Sequence, residues 1–242
     1  MAAILTCRAR TCASRLVLTT TLLGHTLCTT AADDSPGTPF VREVQKRPLF
    51  AVPALAGWSY QPFHGDTDYE SVEGIAPDPL RQVHARARGT ASGCVLDIAL
   101  DPQTWRYLRW SWQIEQPVSV DDVRVRSGDD FSARVYVVFS GGWAPWRATS
   151  LVYVWAESDT PSAFWRNPFT DQAMMMAATR GRASKSWTVV ERDLVADYRA
   201  AFDRDPPQII AIAIMTDTDQ TGTTASARYG DLEILRTTGS TR

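Results

Sequence analysis

Apolar and polar residues alternate with a period of two along most of this chain, a pattern that confines it to a fold built of strands. Val83, Ala85 and Ala87 alternate with Gln82, His84, Arg86 and Arg88, and Cys94, Leu96, Ile98 and Leu100 alternate with Val95, Asp97 and Ala99. Leu108, Trp110, Trp112 and Ile114 alternate with Tyr107, Arg109, Ser111 and Gln113. Phe131, Ala133, Val135, Val137 and Phe139 alternate with Ser132, Arg134, Tyr136 and Val138. Leu151, Tyr153 and Trp155 continue the pattern, as do Trp187, Val189 and Glu191. Successive strand side chains point to opposite faces, so each run predicts a strand with one buried face. The apolar run Ile209 to Met215 predicts a strand buried on both faces, and Gly230 to Leu235 supplies a last strand. One segment carries a helical stripe: Asp193 can cap it, Leu194, Tyr198, Ala201 and Phe202 share a face, and Pro206-Pro207 stops it. Short strands separated by Gly, Pro and Asp turns predict an all-β, mainly antiparallel β-sandwich, jelly-roll-like, with one short helix near 193–202.

The ends of the chain follow different rules. Arg8, Arg10 and Arg15 precede an apolar stretch from Leu16 to Leu27, which is too short to span a bilayer, and Thr30-Ala31-Ala32 offers small residues for cleavage. Residues 1–32 are therefore read as an export signal, which predicts a periplasmic or secreted protein. Residues 33–48 contain Pro36, Gly37, Pro39 and Pro48 and read as a flexible tether. A single β-sandwich domain is expected over 49–237, with a disordered tail at 238–242. No later apolar run is long enough to cross a membrane. Taking the three leader arginines from the 25 basic residues leaves 22 against 27 acidic residues, a net charge of −5. That balance, with no basic block, excludes nucleic acid as the expected partner. Cys7, Cys12 and Cys28 leave with the signal, so Cys94 has no internal disulfide partner; its apolar strand position marks it as a small buried hydrophobe.

Two aspartate pairs are the strongest candidates for chemistry. Asp129-Asp130 begin one strand, and Asp217 and Asp219 follow the end of another. If those strands are antiparallel neighbours, all four carboxylates converge on one rim, with Arg134 as the internal counter-ion. Turn capping, a calcium site and paired acid–base catalysis compete for this feature. Asp217, Asp219, Thr221 and Gly222 match positions 1, 3, 5 and 6 of a calcium loop, but Arg228 stands where position 12 needs a bidentate glutamate. A calcium ion would need a further carboxylate from Asp129, Asp130 or Asp231. Tyr107 and Arg109 on one strand, with Arg134 and Tyr136 on another, would form a tyrosine- and arginine-bearing face if the strands share a sheet, a surface suited to a saccharide or anionic small ligand. Trp143, Trp146 and Trp165 sit among Gly, Pro and Asn and are candidates for stacking on a ligand, whereas Trp110 and Trp112 share a core face. Metalloprotease, nucleotide-loop and nucleophile-elbow motifs are absent.

The stretches "DDFSARVYVVF" (129–139), "LVYVWA" (151–156), "ERDLVADYRAAF" (191–202) and "IAIMTDTDQTG" with "ARYGDLEI" (212–234) resemble a bacterial family known as domain of unknown function 3047. The resemblance is strongest over 129–235 and implies secretion and a β-rich domain. It implies no activity and no site residues. Gln220 stands where the family pattern expects asparagine, and Asp203 where it expects glycine. The expected function is non-catalytic binding of a carbohydrate-like or other polar ligand, with calcium as a candidate structural ion. The alternatives are an envelope-saccharide hydrolase or lyase using Asp129, Asp130, Asp217 or Asp219, and a structural envelope protein.

Overall fold

The computed structural model describes residues 44–51, 54–73, 81–156, 163–181 and 186–237. The export signal and the tail expected at the two termini lie outside the described residues. The strands are β1 (Val44–Pro48), β2 (Ser59–His64), β3 (Asp68–Glu73), β4 (Arg81–Arg88), β5 (Ala91–Leu100), β6 (Tyr107–Gln116) and β7 (Arg134–Phe139), followed by β8 (Thr149–Ala156), β9 (Phe164–Asn167), β10 (Thr170–Arg180) and β11 (Thr188–Asp193). Helix α1 (Leu194–Phe202) then leads to β12 (Ile209–Asp217) and β13 (Thr224–Thr237). One sheet has the order β11-β6-β13-β4-β3, with β1 pairing to the end of β13; the other has the order β2-β5-β12-β7-β8-β10-β9. The result is the β-sandwich that the alternation predicts. Among the described residues all ladders are antiparallel except β8 with β10, which run parallel.

The even-numbered side chains of β6 explain why the sheets adhere. Leu108, Trp110, Trp112 and Ile114 are each 1 % exposed or less and face Tyr153 and Trp155 of the opposite sheet. The rings of Trp110 and Trp112 meet edge-to-face at 5.3 Å, and Trp112 donates its indole N–H to Thr179 Oγ1 at 3.0 Å. Large rings in offset contact with a satisfied polar edge are an effective filling for a space between sheets. Cys94 is buried in this core, and burial pushes its thiol up to about 12, which keeps it protonated and unreactive.

One local feature departs from the sequence expectations, and the helix follows them. The expected tether over 33–43 lies outside the described residues, whereas Val44–Pro48, expected to belong to it, instead zips onto Glu233–Thr237 as an edge strand. Its five side chains are all exposed, so no alternation announces it. The helix ends on Asp203, whose backbone is left-handed at φ 53° while its N–H bonds to the Arg199 carbonyl at 2.9 Å. That geometry favours glycine, since a Cβ is penalised there. Asp203→Gly is expected to raise folding stability by about 0.5–1 kcal/mol, read as a higher urea midpoint at unchanged slope. At the other end of the helix Asp193 accepts from the N–H groups of Val195 and Ala196 at 3.1 and 3.0 Å, the expected cap, and also holds Arg106.

Candidate functional site

Register brings the aspartate pairs together. β12 runs antiparallel to β7 with Met215 opposite Arg134, so the end of one strand and the start of the other share a rim. Arg134 lies at the centre and is 2 % exposed. Its guanidinium donates to both carboxylate oxygens of Asp217, through Nε at 2.8 Å and through Nη2. It also donates to Asp129 Oδ1 at 3.2 Å and to the Asp129 carbonyl, and it lies over the Phe131 ring at 4.7 Å from the centroid. Burial pushes the Asp217 carboxyl up to about 7 against the pull of Arg134. Burial likewise raises Asp129, opposed by Arg134 and by the amide of Asn167, which donates to Asp129 Oδ2 at 3.1 Å. Burial opposes the charge on Arg134, but its carboxylate neighbours Asp129 and Asp217 more than offset this and raise it above the ordinary arginine value.

Asp130 performs a different task. Its carboxylate accepts the backbone N–H groups of Gln220 at 3.2 Å and Thr221 at 2.7 Å, pinning the turn after β12. Gly222 closes that turn at φ 66° and donates to the Thr218 carbonyl at 2.8 Å. Carboxylate oxygens of Asp130, Asp217 and Asp219 come within 4.8 Å of one another, a spacing that a cation could bridge. Much of this donor set is already engaged within the protein, however. Asp217 is occupied by Arg134 and by the Phe131 N–H at 3.3 Å, Asp130 by the turn, and Thr221 Oγ1 by Thr223 Oγ1 at 2.7 Å. A calcium ion wants six to eight free oxygens, and here the neutralising charge is the guanidinium. Chelation by EDTA is expected to leave the melting temperature unchanged; a drop reversed by added calcium would overturn this.

The expected tyrosine–arginine face is divided by the topology. Tyr107 and Arg109 lie on β6 in one sheet, whereas Arg134 and Tyr136 lie on β7 in the other. Arg134 is moreover sequestered by its carboxylates. Tyr136 stays half-buried beside it, its hydroxyl 3.4 Å from Arg134 Nη1, and burial raises its phenol to about 12. The three loop tryptophans also diverge. Trp165 sits on β9, 7 % exposed, and stacks on Phe131 at 6.3 Å within a second apolar cluster with Val123, Val152, Val154 and Met175. Trp143 and Trp146 are 84 % and 59 % exposed.

That second cluster lies on the outer face of the seven-stranded sheet. One register row crosses all seven strands: Ser59, Val95, Ala213, Tyr136, Val152, Met175 and Trp165. The next row holds Asp97, Ala211, Val138, Ser150 and Ala173. Residues 118–131 cover the β7–β8–β10 part through Val120, Val123 and Phe131. The remaining part, on β5 and β12, carries Val95, Asp97, Ala211 and Ala213, with Met215 beyond them beside Tyr136, and forms a strip next to the covered part. At the Val138–Ser150 end of that strip is the β7–β8 loop. Gly141 allows that loop to fold tightly, because a Cβ there would lie 2.2 Å from the Ala144 carbonyl oxygen. Backbone bonds Ala144–Gly141, Arg147–Ala144 and Ala148–Pro145, with Gln172 Nε2 donating to the Trp146 carbonyl at 2.6 Å, fix it further. The two exposed indoles meet edge-to-face at 6.1 Å and 87°. The sequence pattern selects these two tryptophans but not the strip: Val95 and Asp97 are the outward members of a run read for its apolar face, and Ala211 and Ala213 lie in a run expected to be buried on both faces.

The family model described as protein of unknown function (DUF3047) matches residues 56–233. No curated protein matches the sequence. Among solved structures the chain is similar to the xyloglucanase domain of NopAA, a type three effector from Sinorhizobium fredii in complex with cellobiose. The identity is 8 % and the TM-score 0.42, covering 80 % of this chain and 96 % of that one. It is similar also to the low-affinity xylan-binding module CBM86 from Roseburia intestinalis, at 12 % identity and TM-score 0.29, covering 79 % and 96 %. A third likeness is to an exo-β-agarase, at 8 % identity and TM-score 0.31, covering 74 % of this chain and 23 % of that one.

Proposed function

We propose, for a chain that belongs to the DUF3047 family, that it is an exported saccharide-binding protein that takes a polysaccharide through Trp143 and Trp146 and the adjoining strip. The observation that carries this reading is the exposure of two indoles on a loop whose backbone is tied down. Exposed tryptophans cost solubility, and a held pair is better suited to a flat partner than to the core. Sugar rings offer such a partner through their C–H faces, and Asp97 on the strip and Ser150 at its loop end supply hydrogen-bonding groups. Binding is favoured over glycoside cleavage because the four aspartates that could serve as acid and base are engaged with Arg134, Asn167, Gln220 and backbone donors. Export belongs to the same proposal and is checked by the N-terminal sequence of the protein recovered from the producing cell's exterior or periplasm.

The test is affinity electrophoresis and calorimetry of the full chain against neutral and acidic plant and bacterial polysaccharides. At least one is expected to bind. The double variant Trp143→Ala/Trp146→Ala should weaken that binding by roughly 10-fold or more, at about 1 kcal/mol or more per ring, without changing the melting temperature. Binding to nothing in the panel, or full binding by the double variant, would remove the reading.

A further inference from the structure

A second concave site lies away from the strip, where the edge strands β2 and β3 leave the space between the sheets open. It is a cleft of about 460 Å³ lined by Trp58, Tyr60, Tyr69, Asp66, Asp68 and Cys94 among others, a size that suits a small ligand. The rings of Tyr60 and Tyr69 stand edge-to-face at 6.4 Å. Their hydroxyls are already engaged: Tyr60 with Asp66 Oδ1 at 3.0 Å and Ser92 Oγ at 2.8 Å, Tyr69 with the Ser92 carbonyl at 2.5 Å and the Thr216 N–H at 3.1 Å. Trp58 spends its N–H on the Leu49 carbonyl at 3.3 Å. What these three residues can still offer a ligand is π surface.

The charge around the cleft has one sign. Asp66 and Asp68 both line it, and among the described residues no lysine, arginine or histidine does. Asp68 is shared with Arg86, which stands behind it at 2.6 Å. Among the described residues Asp66 has no ion-pair partner; its one side-chain bond is from Tyr60. The Cys94 thiol at the floor is neutral. Aromatic faces next to an unpaired carboxylate favour a cation over an anion or a neutral molecule.

We propose that this cleft binds an organic cation, an alkylammonium group carried on a compact body such as an amino sugar or a choline headgroup. Tyr60 and Tyr69 present their faces to the ammonium, Trp58 packs against the body, and Asp66 supplies the opposite charge. The site is independent of the tryptophan pair on the β7–β8 loop.

The experiment is an NMR titration of the full chain with glucosamine and with choline, beside glucose and the uncharged choline isostere 3,3-dimethylbutanol. The Trp58 indole signal should move saturably with one or both cations at millimolar concentration, while the Trp143 and Trp146 signals stay in place. Which cation binds more tightly distinguishes an amino sugar from a headgroup. Raising the salt should weaken binding. Asp66→Asn keeps an acceptor for Tyr60 at an exposed position and should weaken binding about two- to fivefold without loss of fold. An equal response to the neutral analogues, no saturation with either cation, or unchanged affinity in Asp66→Asn would each overturn the proposal.

Discussion

Arg134→Met is expected to lose about 3–5 kcal/mol of folding stability, the largest single effect in the molecule, because it strands two buried carboxylates. Asp217 and Asp129 are 2 % and 7 % exposed and share this one guanidinium. Methionine fills similar volume, so the loss would report charge rather than a cavity. The deficit should depend on pH in a definite sense. Burial already raises Asp217 to about 7 with Arg134 in place, and removing the arginine takes away the influence that lowers it. A carboxyl raised in the fold binds more protons folded than unfolded. Its contribution to stability therefore falls as pH rises from the ordinary aspartate range through the folded value. The variant should accordingly be less impaired at about pH 5 than at about pH 8. Arg134→Met/Asp217→Asn should recover part of the loss, since neutralising both partners removes the stranded charge. Urea unfolding followed by tryptophan fluorescence measures all three. A loss below about 1 kcal/mol for Arg134→Met would show that the cluster is solvated rather than buried.

Asp197→Ala should cost about 2–3 kcal/mol through a different arrangement. This helix residue accepts the Tyr153 hydroxyl at 2.8 Å and both donor arms of Arg192, at 2.8 and 2.5 Å. Tyr153 is fully buried in the central aromatic stack and would keep an unsatisfied hydroxyl. Arg192 is one-third exposed and can turn to water, so its share is discounted. Asp197→Asn retains an acceptor for Tyr153 and should lose only about 1 kcal/mol, which separates the hydroxyl from the ion pair. Tyr153→Phe should relieve most of the cost in the Asp197→Ala background, because no orphaned hydroxyl is then left. Equal losses for Ala and Asn would instead assign the effect to the ion pair.

Much of the framework was readable because period two is a local property. β4, β5, β6, β8 and the capped helix each declare themselves within ten residues or so, whereas β11 was legible as a strand but not by face: Val190, opposite Trp110, is its buried residue and Val189 is 59 % exposed. The rim shared by Asp129, Asp130, Asp217 and Asp219 was readable only as a condition: antiparallel pairing sets start against end once the two strands are neighbours, and the structure supplies that pairing. β1, with every side chain exposed, has no pattern to read. Met174, Met175 and Met176 on β10 form an unbroken apolar run because one face meets the sandwich core and the other the second cluster.

Alternation and turn chemistry in the sequence determined that this chain folds into strands, which faces of those strands are apolar, and where its one helix begins. Only the tertiary structure decided which strands share a sheet, and with that the fate of each candidate. It put Arg109 and Arg134 on different sheets and closed the carboxylates around Arg134. It buried Trp165 under residues 118–131 while leaving Trp143 and Trp146 in solvent. The physical reason is range. A side chain's face is set by its own backbone, but its partners are set by segments tens of residues away, and exposure and charge follow from those partners.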